Sequence, residues 1–278
     1  MILIADSGST KTDWRLVQEK GKTLSYETIG FNPYFIDSAS VLNELTGSKL
    51  AEIREQVTQV FFYGAGCSSE DKCRIIFNPL NTFFNHARVE VEHDMLAATR
   101  ATCGREKGMV AIMGTGSNSC LYNGNIIVEN IPALGFILGD NGSGADIGKT
   151  FIKAYLGNEL PDEVKEDFNK QYNLNLNDIL DAVYKQALPN RFLAGFSLFV
   201  YQHLNVPEIK QMIESRFILF FEKNICKYTD YQCQKLHLVG SIAFVYKDIL
   251  VKIAAKYKVE IGTVIKQPIE KLVEYHLS

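Results

Sequence analysis

The sequence predicts an α/β protein of two related lobes, and three observations carry that reading. An apolar run, Ile2-Leu3-Ile4-Ala5, ends in the hydroxyl-rich turn Asp6-Ser7-Gly8-Ser9-Thr10-Lys11-Thr12, as a buried strand does on meeting a polar loop. The pattern returns at Met109-Val110-Ala111-Ile112-Met113, which runs into Gly114-Thr115-Gly116-Ser117-Asn118-Ser119. Between the two, strand-like runs alternate with helical ones, the mark of a sheet flanked by helices. A repeated unit of this kind suggests two lobes facing each other, each with its own mixed sheet.

Taken in order, Asp13–Val17 alternates as a second strand, turns at Lys20-Gly21-Lys22, and is followed by a third strand over Thr23–Ile29. Gly30 to Phe35 is a loop in which Pro33 holds Asn32 extended. Ser38 caps an expected helix running to about Gln56, with Val41, Leu42, Leu45 and Leu50 inward. A strand over Val60–Tyr63, a helix from Glu70 to about Phe84 and a strand over Val89–Val91 complete the first lobe. That last strand runs into His93-Asp94, a carboxylate opening a further helix.

The second lobe starts near Met109, with strands at Cys120–Tyr122 and Ile126–Glu129 and a Gly-rich loop over Ile131–Lys149. Helices dominate from Ala145 to Thr229. Leu236–Val239 is a short strand turning at Gly240-Ser241 into a helix, and Val259–Ile261 is a candidate final strand. Pro268–Leu277 reads as an amphipathic helix with Pro in the first turn. The expected domains are 1–107 with 265–278, and 108–264.

Composition excludes several classes. The 278 residues are 46% hydrophobic and 22% charged, as in ordinary globular proteins. A formal net charge of −3 gives no basic footprint, so neither nucleic acid nor anionic membrane is an expected partner. A first strand that begins at Met1 argues for a cytoplasmic protein with no removed segment. The six cysteines form no CxxC and have no His at metal spacing, so they read as mostly buried thiols.

There is no Walker-type P-loop and no GxGxxG after a strand. Polar loops instead follow strand after strand: Asp6–Thr12, Asn32, Asp94, Gly114–Asn118, Gly139–Gly144 and Gly240-Ser241. Ligands of open α/β sheets sit beyond the carboxyl ends of strands, so these loops can converge on one cleft. Turns of Gly, Ser and Thr free backbone N–H groups and hydroxyls for an anion such as phosphate.

Asp-x-Gly-x-Thr-x-Thr after the first strand, Gly-Thr-Gly-Ser opening the second lobe and Val-Gly-Ser-Ile-Ala near the end resemble the phosphate-1, phosphate-2 and adenosine motifs of the sugar kinase/heat-shock chaperone/actin superfamily. Together with His-Asp-x-x-Ala-Ala, Gly-Thr-Gly-Ser-Asn and Gly-Asp-x-Gly-Ser, the ordered set is similar to the N-acetylglucosamine kinase branch of the BadF/BadG/BcrA/BcrD-type ATPase family. The resemblance covers nearly the whole chain. It implies a two-lobed actin-like ATPase (ribonuclease H-like) fold, with duplicated mixed sheets flanked by helices. It also implies transfer of the ATP γ-phosphoryl group, with Mg²⁺, to the 6-hydroxyl of N-acetylglucosamine, and a homodimer as a plausible assembly.

By the same resemblance Asp94 is the catalytic base, its bland alternative being a helix cap. Asp6 holds Mg²⁺. Ser9, Thr10, Lys11, Thr115, Gly195, Gly240 and Ser241 bind nucleotide, although a solvated turn lysine is the preferred reading of Lys11. Asn32, Asp94, Ser117, Asn118, Gly135 and Asp140 bind the sugar, against turn and loop roles as the alternatives. His93 reads as a structural neighbour of the base. A second hypothesis is an ATP-driven activator of a partner enzyme, as some BadF-type relatives are. It calls for paired iron–sulfur cysteines that this spacing does not offer.

Overall fold

Six residues, Ile2–Ser7, form β1, and the three apolar ones at its centre, Leu3, Ile4 and Ala5, are fully buried. The computed structural model describes residues 1–18 and 21–278. The chain divides into two compact units, Met1–Arg105 with Gln267–Ser278, and Glu106–Lys266.

In the first unit β1 pairs antiparallel with β2 (Lys11–Val17), which pairs antiparallel with β3 (Thr23–Ile29). Lys20 of the expected turn lies outside the described residues, but Gln18 N–H donates to the Lys22 carbonyl at 2.8 Å and closes the connection. On the other side β1 pairs parallel with β4 (Gln59–Gly64), and β4 with β5 (Arg88–His93), giving the order β3-β2-β1-β4-β5. The helices are α1 (Ser38–Gly47), α2 (Glu70–Phe83) and α3 (Asp94–Cys103).

The expected helix to Gln56 stops at Gly47, and two 3₁₀ turns, Lys49–Glu52 and Arg54–Gln56, follow it. Ser48 is the reason: its extended backbone ends α1, and its hydroxyl accepts the Leu50 N–H to start the next turn. The cap of α1 is Asp37, which accepts the Ser40 N–H, while Ser38 donates to the Ile75 carbonyl instead. Trp14, Phe31 and Phe62, all fully buried, pack ring against ring at the centre of this unit's core.

The second unit repeats the plan. Strands β6 (Lys107–Met113), β7 (Ser117–Asn123) and β8 (Ile127–Ile131) form the antiparallel half. On the other side of β6, β9 (Leu236–Val239) and β10 (Ile261–Ile265) run parallel, in the order β10-β9-β6-β7-β8. Strand for strand this is the order of the first sheet. β10 begins where the sequence reading placed the strand's end, because Lys258 takes a left-handed φ of 58° and the chain turns there first.

The expected loop over Ile131–Lys149 holds two helices, α4 (Gly135–Leu138) and α5 (Gly144–Leu156). Then come α6 (Asp162–Tyr172), α7 (Leu176–Tyr184), α8 (Pro189–Ala194), α9 (Ser197–Gln202) and α10 (Pro207–Lys223). After β9, α11 (Ser241–Val245) and α12 (Lys247–Lys256) follow. α5 lies on α8 so closely that a Cβ on Gly148 would meet the Leu193 carbonyl oxygen at 1.8 Å.

The last helix, α13 (Ile269–Leu277), belongs to the first unit, and Pro268 is its cap residue rather than part of its first turn. There Arg15 Nε donates to Glu270 at 2.7 Å, and His276 stacks on Phe61 with ring centroids 3.9 Å apart. Tyr63 Oη meets His276 Nε2 at 2.9 Å and accepts from Arg100 at 2.6 Å. No helix among the described residues is long and apolar enough to cross a membrane.

Candidate active site

In the first unit the site residues gather where β1, β3 and β5 end and β2 begins. Gly8 N–H donates to the Lys11 carbonyl at 3.0 Å, closing the hairpin turn between β1 and β2. Ser7 and Thr12, both buried, share a 2.7 Å hydrogen bond beneath it. Ser7 Oγ also accepts the Phe31 N–H, and the Gly30 N–H donates to the Thr10 carbonyl. The turn is thus pinned from below, and the side chains of Ser9 and Thr10 are left exposed.

Gly30 makes that possible: a Cβ there would lie 2.4 Å from the Gly8 oxygen and 2.6 Å from the Thr10 nitrogen. Asn32 is buried and tied to the same turn, its Nδ2 donating to Ser9 Oγ at 2.7 Å. Its Oδ1 accepts the Tyr34 N–H at 3.0 Å. Gly66, at φ 85°, leaves room for that carbonyl, which a Cβ would approach to 2.3 Å. Lys11 is engaged elsewhere, in ion pairs with Asp13 at 2.8 Å and Glu27 at 3.4 Å.

Asp6 faces Asp13 across the β1–β2 pair. Burial first, then the carboxylates of Asp94 and Asp13, push its pKa up to about 7, against the pull of Lys11. Among the described residues no group of three or more Asp, Glu, His or Cys side chains is placed to ligate a metal together, so a hard divalent cation here would rest on Asp6 and not on a ready-made carboxylate cage.

Asp94 is not the cap of α3. His93 is: its backbone is extended and its Nδ1 accepts the Leu96 N–H at 3.2 Å. Asp94 is therefore the first helical residue, and its carboxylate is not spent on the Leu96 donor. Burial raises its pKa above the usual carboxylate range, opposed by His93 and by the N–H groups of Met95 and Asp94 itself.

In the second unit Gly114 N–H donates to the Gly116 carbonyl, closing the β6–β7 turn, and Thr115 is exposed at its tip. The start of α5 docks on this turn, Gly144 N–H donating to the Gly114 carbonyl at 2.8 Å and Ala145 N–H to that of Thr115 at 3.0 Å. A Cβ on Gly144 would meet Ala194, Gly114 and Ile242, so α8, the turn and α11 converge on that glycine. Gly240 lies against the end of β6, where a Cβ would come within 2.3 Å of the Met113 oxygen, and its φ of 119° demands glycine. Ser241 is exposed, as is Gly195 at the end of α8.

Asp140 sits at φ 51° with its carboxylate over Gly116, whose Cβ would lie 2.8 Å from Oδ2. Burial raises its pKa, while the Ser117 N–H and Lys149 pull it down. Ser117 is buried and donates to the Asn141 carbonyl at 2.8 Å. Asn118, the next residue of β7, points to the other face, where its Oδ1 accepts from Asn130 and the Ser119 N–H. Gly135 has nothing within 4 Å of where a Cβ would stand, so its φ of 72° is what requires glycine.

Sequence reasoning missed several of these parts. Gly30, Gly66 and Gly116 are signalled in the sequence only as loop glycines. Asp146 is three residues past Ser143, the spacing of a capping box, and its buried carboxylate accepts the Gly142 N–H at 2.9 Å. Histidine is a rare cap, so no sequence signal marks His93.

No protein-family model matches the chain, and no protein of curated function matches it. Among solved structures, a candidate N-acetylglucosamine kinase from Porphyromonas gingivalis is 40% identical and superposes with a TM-score of 0.94, over 99% of this chain and 98% of that one. A second, from Chromobacterium violaceum, is 15% identical with a TM-score of 0.72 over the same shares. A ROK-family glucokinase from Streptomyces griseus, solved with glucose and AMPPNP, reaches 0.52 at 12% identity over 99% of this chain and 97% of that one. The fold is that of the actin-like ATPase sugar kinases. Within them, the chain belongs to the N-acetylglucosamine kinase branch of the BadF/BadG/BcrA/BcrD-type ATPase family.

Proposed function

We propose that the protein is an ATP-dependent amino-sugar kinase that phosphorylates N-acetylglucosamine at its 6-hydroxyl. The observation that carries this reading is Asp94, a carboxylate of raised pKa at the head of α3 that another side chain has relieved of capping. A sugar hydroxyl titrates far above neutral pH and needs such a base as its oxygen attacks phosphorus. The proton passes to Asp94, the new O–P bond forms at the γ-phosphoryl group, and ADP leaves with the electron pair of the broken bond.

In this reading the first unit supplies the base, the sugar ligand Asn32, and Ser9 and Thr10 for the phosphates. The second supplies Thr115 for the phosphates, Gly195, Gly240 and Ser241 for the nucleoside, and Ser117, Gly135 and Asp140 for the sugar, while Asn118, on the other face of β7 and bonded to Asn130, is set aside from it. Mg²⁺ held near Asp6 would neutralise phosphate charge when bound. The 40% identity to the Porphyromonas gingivalis protein supports the substrate class, and the AMPPNP held by the more distant glucokinase supports ATP as donor.

The test is a coupled ADP-release assay with ATP, Mg²⁺ and a panel of hexoses and amino sugars. ADP release that requires N-acetylglucosamine and collapses in Asp94→Asn is the expected result. Hydrolysis indifferent to every sugar would overturn the kinase reading.

A further inference from the structure

The geometry points to His93 as a positioning residue that sets the direction of Asp94 by capping α3 in its place. This inference rests on the kinase reading, in which Asp94 is the base.

The first amides of a helix lack partners within it and draw in the nearest acceptor. At α3 two side chains divide them. His93 Nδ1 takes the N–H of Leu96 at 3.2 Å, and the N–H groups of Asp94 and Met95 lie on the side of the Asp94 carboxylate. Nδ1 accepts only in the neutral ring that carries its proton on Nε2. Burial favours that neutral form, with Arg100 adding to the effect and Asp94 opposing it.

His93 is also fixed from behind, as the last residue of β5 in register with Gly64 of β4. The imidazole is therefore anchored in the sheet while its Nδ1 holds the helix. If the imidazole is removed, the Leu96 N–H is left without its partner, and Asp94 is the acidic side chain in that first turn of α3. The carboxylate would turn back toward that amide and lose its aim.

The experiment compares His93→Ala, His93→Asn and Asp94→Asn in the sugar-dependent ADP-release assay, with hydrogen exchange at the Leu96 amide. Asparagine is a good cap that does not titrate. The expected result is that His93→Ala lowers kcat about tenfold, within what a misplaced general base loses, with the sugar KM little changed. Leu96 should exchange faster, and His93→Asn should restore both turnover and protection.

Wild-type kcat in His93→Ala, alongside an inactive Asp94→Asn, would overturn the positioning role alone. If the alanine variant does not fold, a His93→Asn variant that protects Leu96 but turns over like a cap-less enzyme would overturn it equally. Full turnover in Asp94→Asn would overturn the kinase reading and this inference together.

Discussion

Asn32 donates from Nδ2 to Ser9 Oγ at 2.7 Å, so a residue assigned to the sugar is hydrogen-bonded to one assigned to the phosphates. Asn32→Ala breaks this bond and the one its Oδ1 accepts from the Tyr34 N–H. We expect the sugar KM to rise about tenfold, as loss of one or two hydrogen bonds would give. A smaller rise in ATP KM should accompany it, because Ser9 loses its anchor. Steady-state kinetics with each substrate varied in turn checks both.

Gly30→Ala places a Cβ 2.4 Å from the Gly8 oxygen, a backbone atom that cannot step aside without moving the turn. Overpacking of this kind costs about 1–3 kcal/mol. Gly8→Ala is the control, since its Cβ finds only the Lys11 oxygen at 3.8 Å. Urea unfolding should show the first variant destabilised and the second nearly unchanged.

Asp6 has a folded pKa near 7 against an ordinary 3.8, so the folded chain keeps a proton the unfolded chain has released. Stability should fall as pH rises through that window. Asp6→Asn removes the cost. Its Tm at pH 8 should exceed that of the wild type by roughly 2–4 °C for each kcal/mol recovered. The difference should vanish toward pH 4. Turnover should fall on the order of 10²-fold, the loss expected when a charge-stabilising group is removed.

His276 acts in the opposite sense. Burial, helped by Arg100, lowers its pKa from 6.5 to about 4, so on acidification the unfolded chain binds a proton the folded one refuses. Stability is lost as pH falls from 6.5 toward about 4. His276→Phe keeps the stack on Phe61 and should flatten this acid limb, at the cost of the bond to Tyr63. Thermal melts from pH 4 to 8 separate this slope from that of Asp6.

The sheets were the most legible part of the chain. β3 and β9 fall where alternation and apolar runs put them, and Gly240-Ser241 does turn a strand into a helix. Periodicity reports which face of an element is buried, and that signal is local. What it cannot report is which acceptor wins a competition decided in three dimensions. Asp37 caps α1 although Ser38 is the next residue, and His93 caps α3 although Asp94 has the better propensity. The roles of Gly30 and Gly66 depend on loops that only the folded chain brings beside them. Asn118 follows Ser117 in sequence, yet strand geometry sends the two to opposite faces.

The placement of α13 orders events during synthesis. The first unit is opened by Met1–Arg105 but packs β1, β2 and α3 against a helix drawn from the far end of the chain. A ribosome must translate all of Glu106–Lys266 before that helix exists. Until then the ring of Phe61, the phenol of Tyr63 and the guanidinium of Arg15 lack their partners on α13. The second unit, contiguous in sequence, has no such wait. The half of the molecule made first is thus the half completed last, its β1, β2 and α3 face waiting on a helix from beyond the second unit.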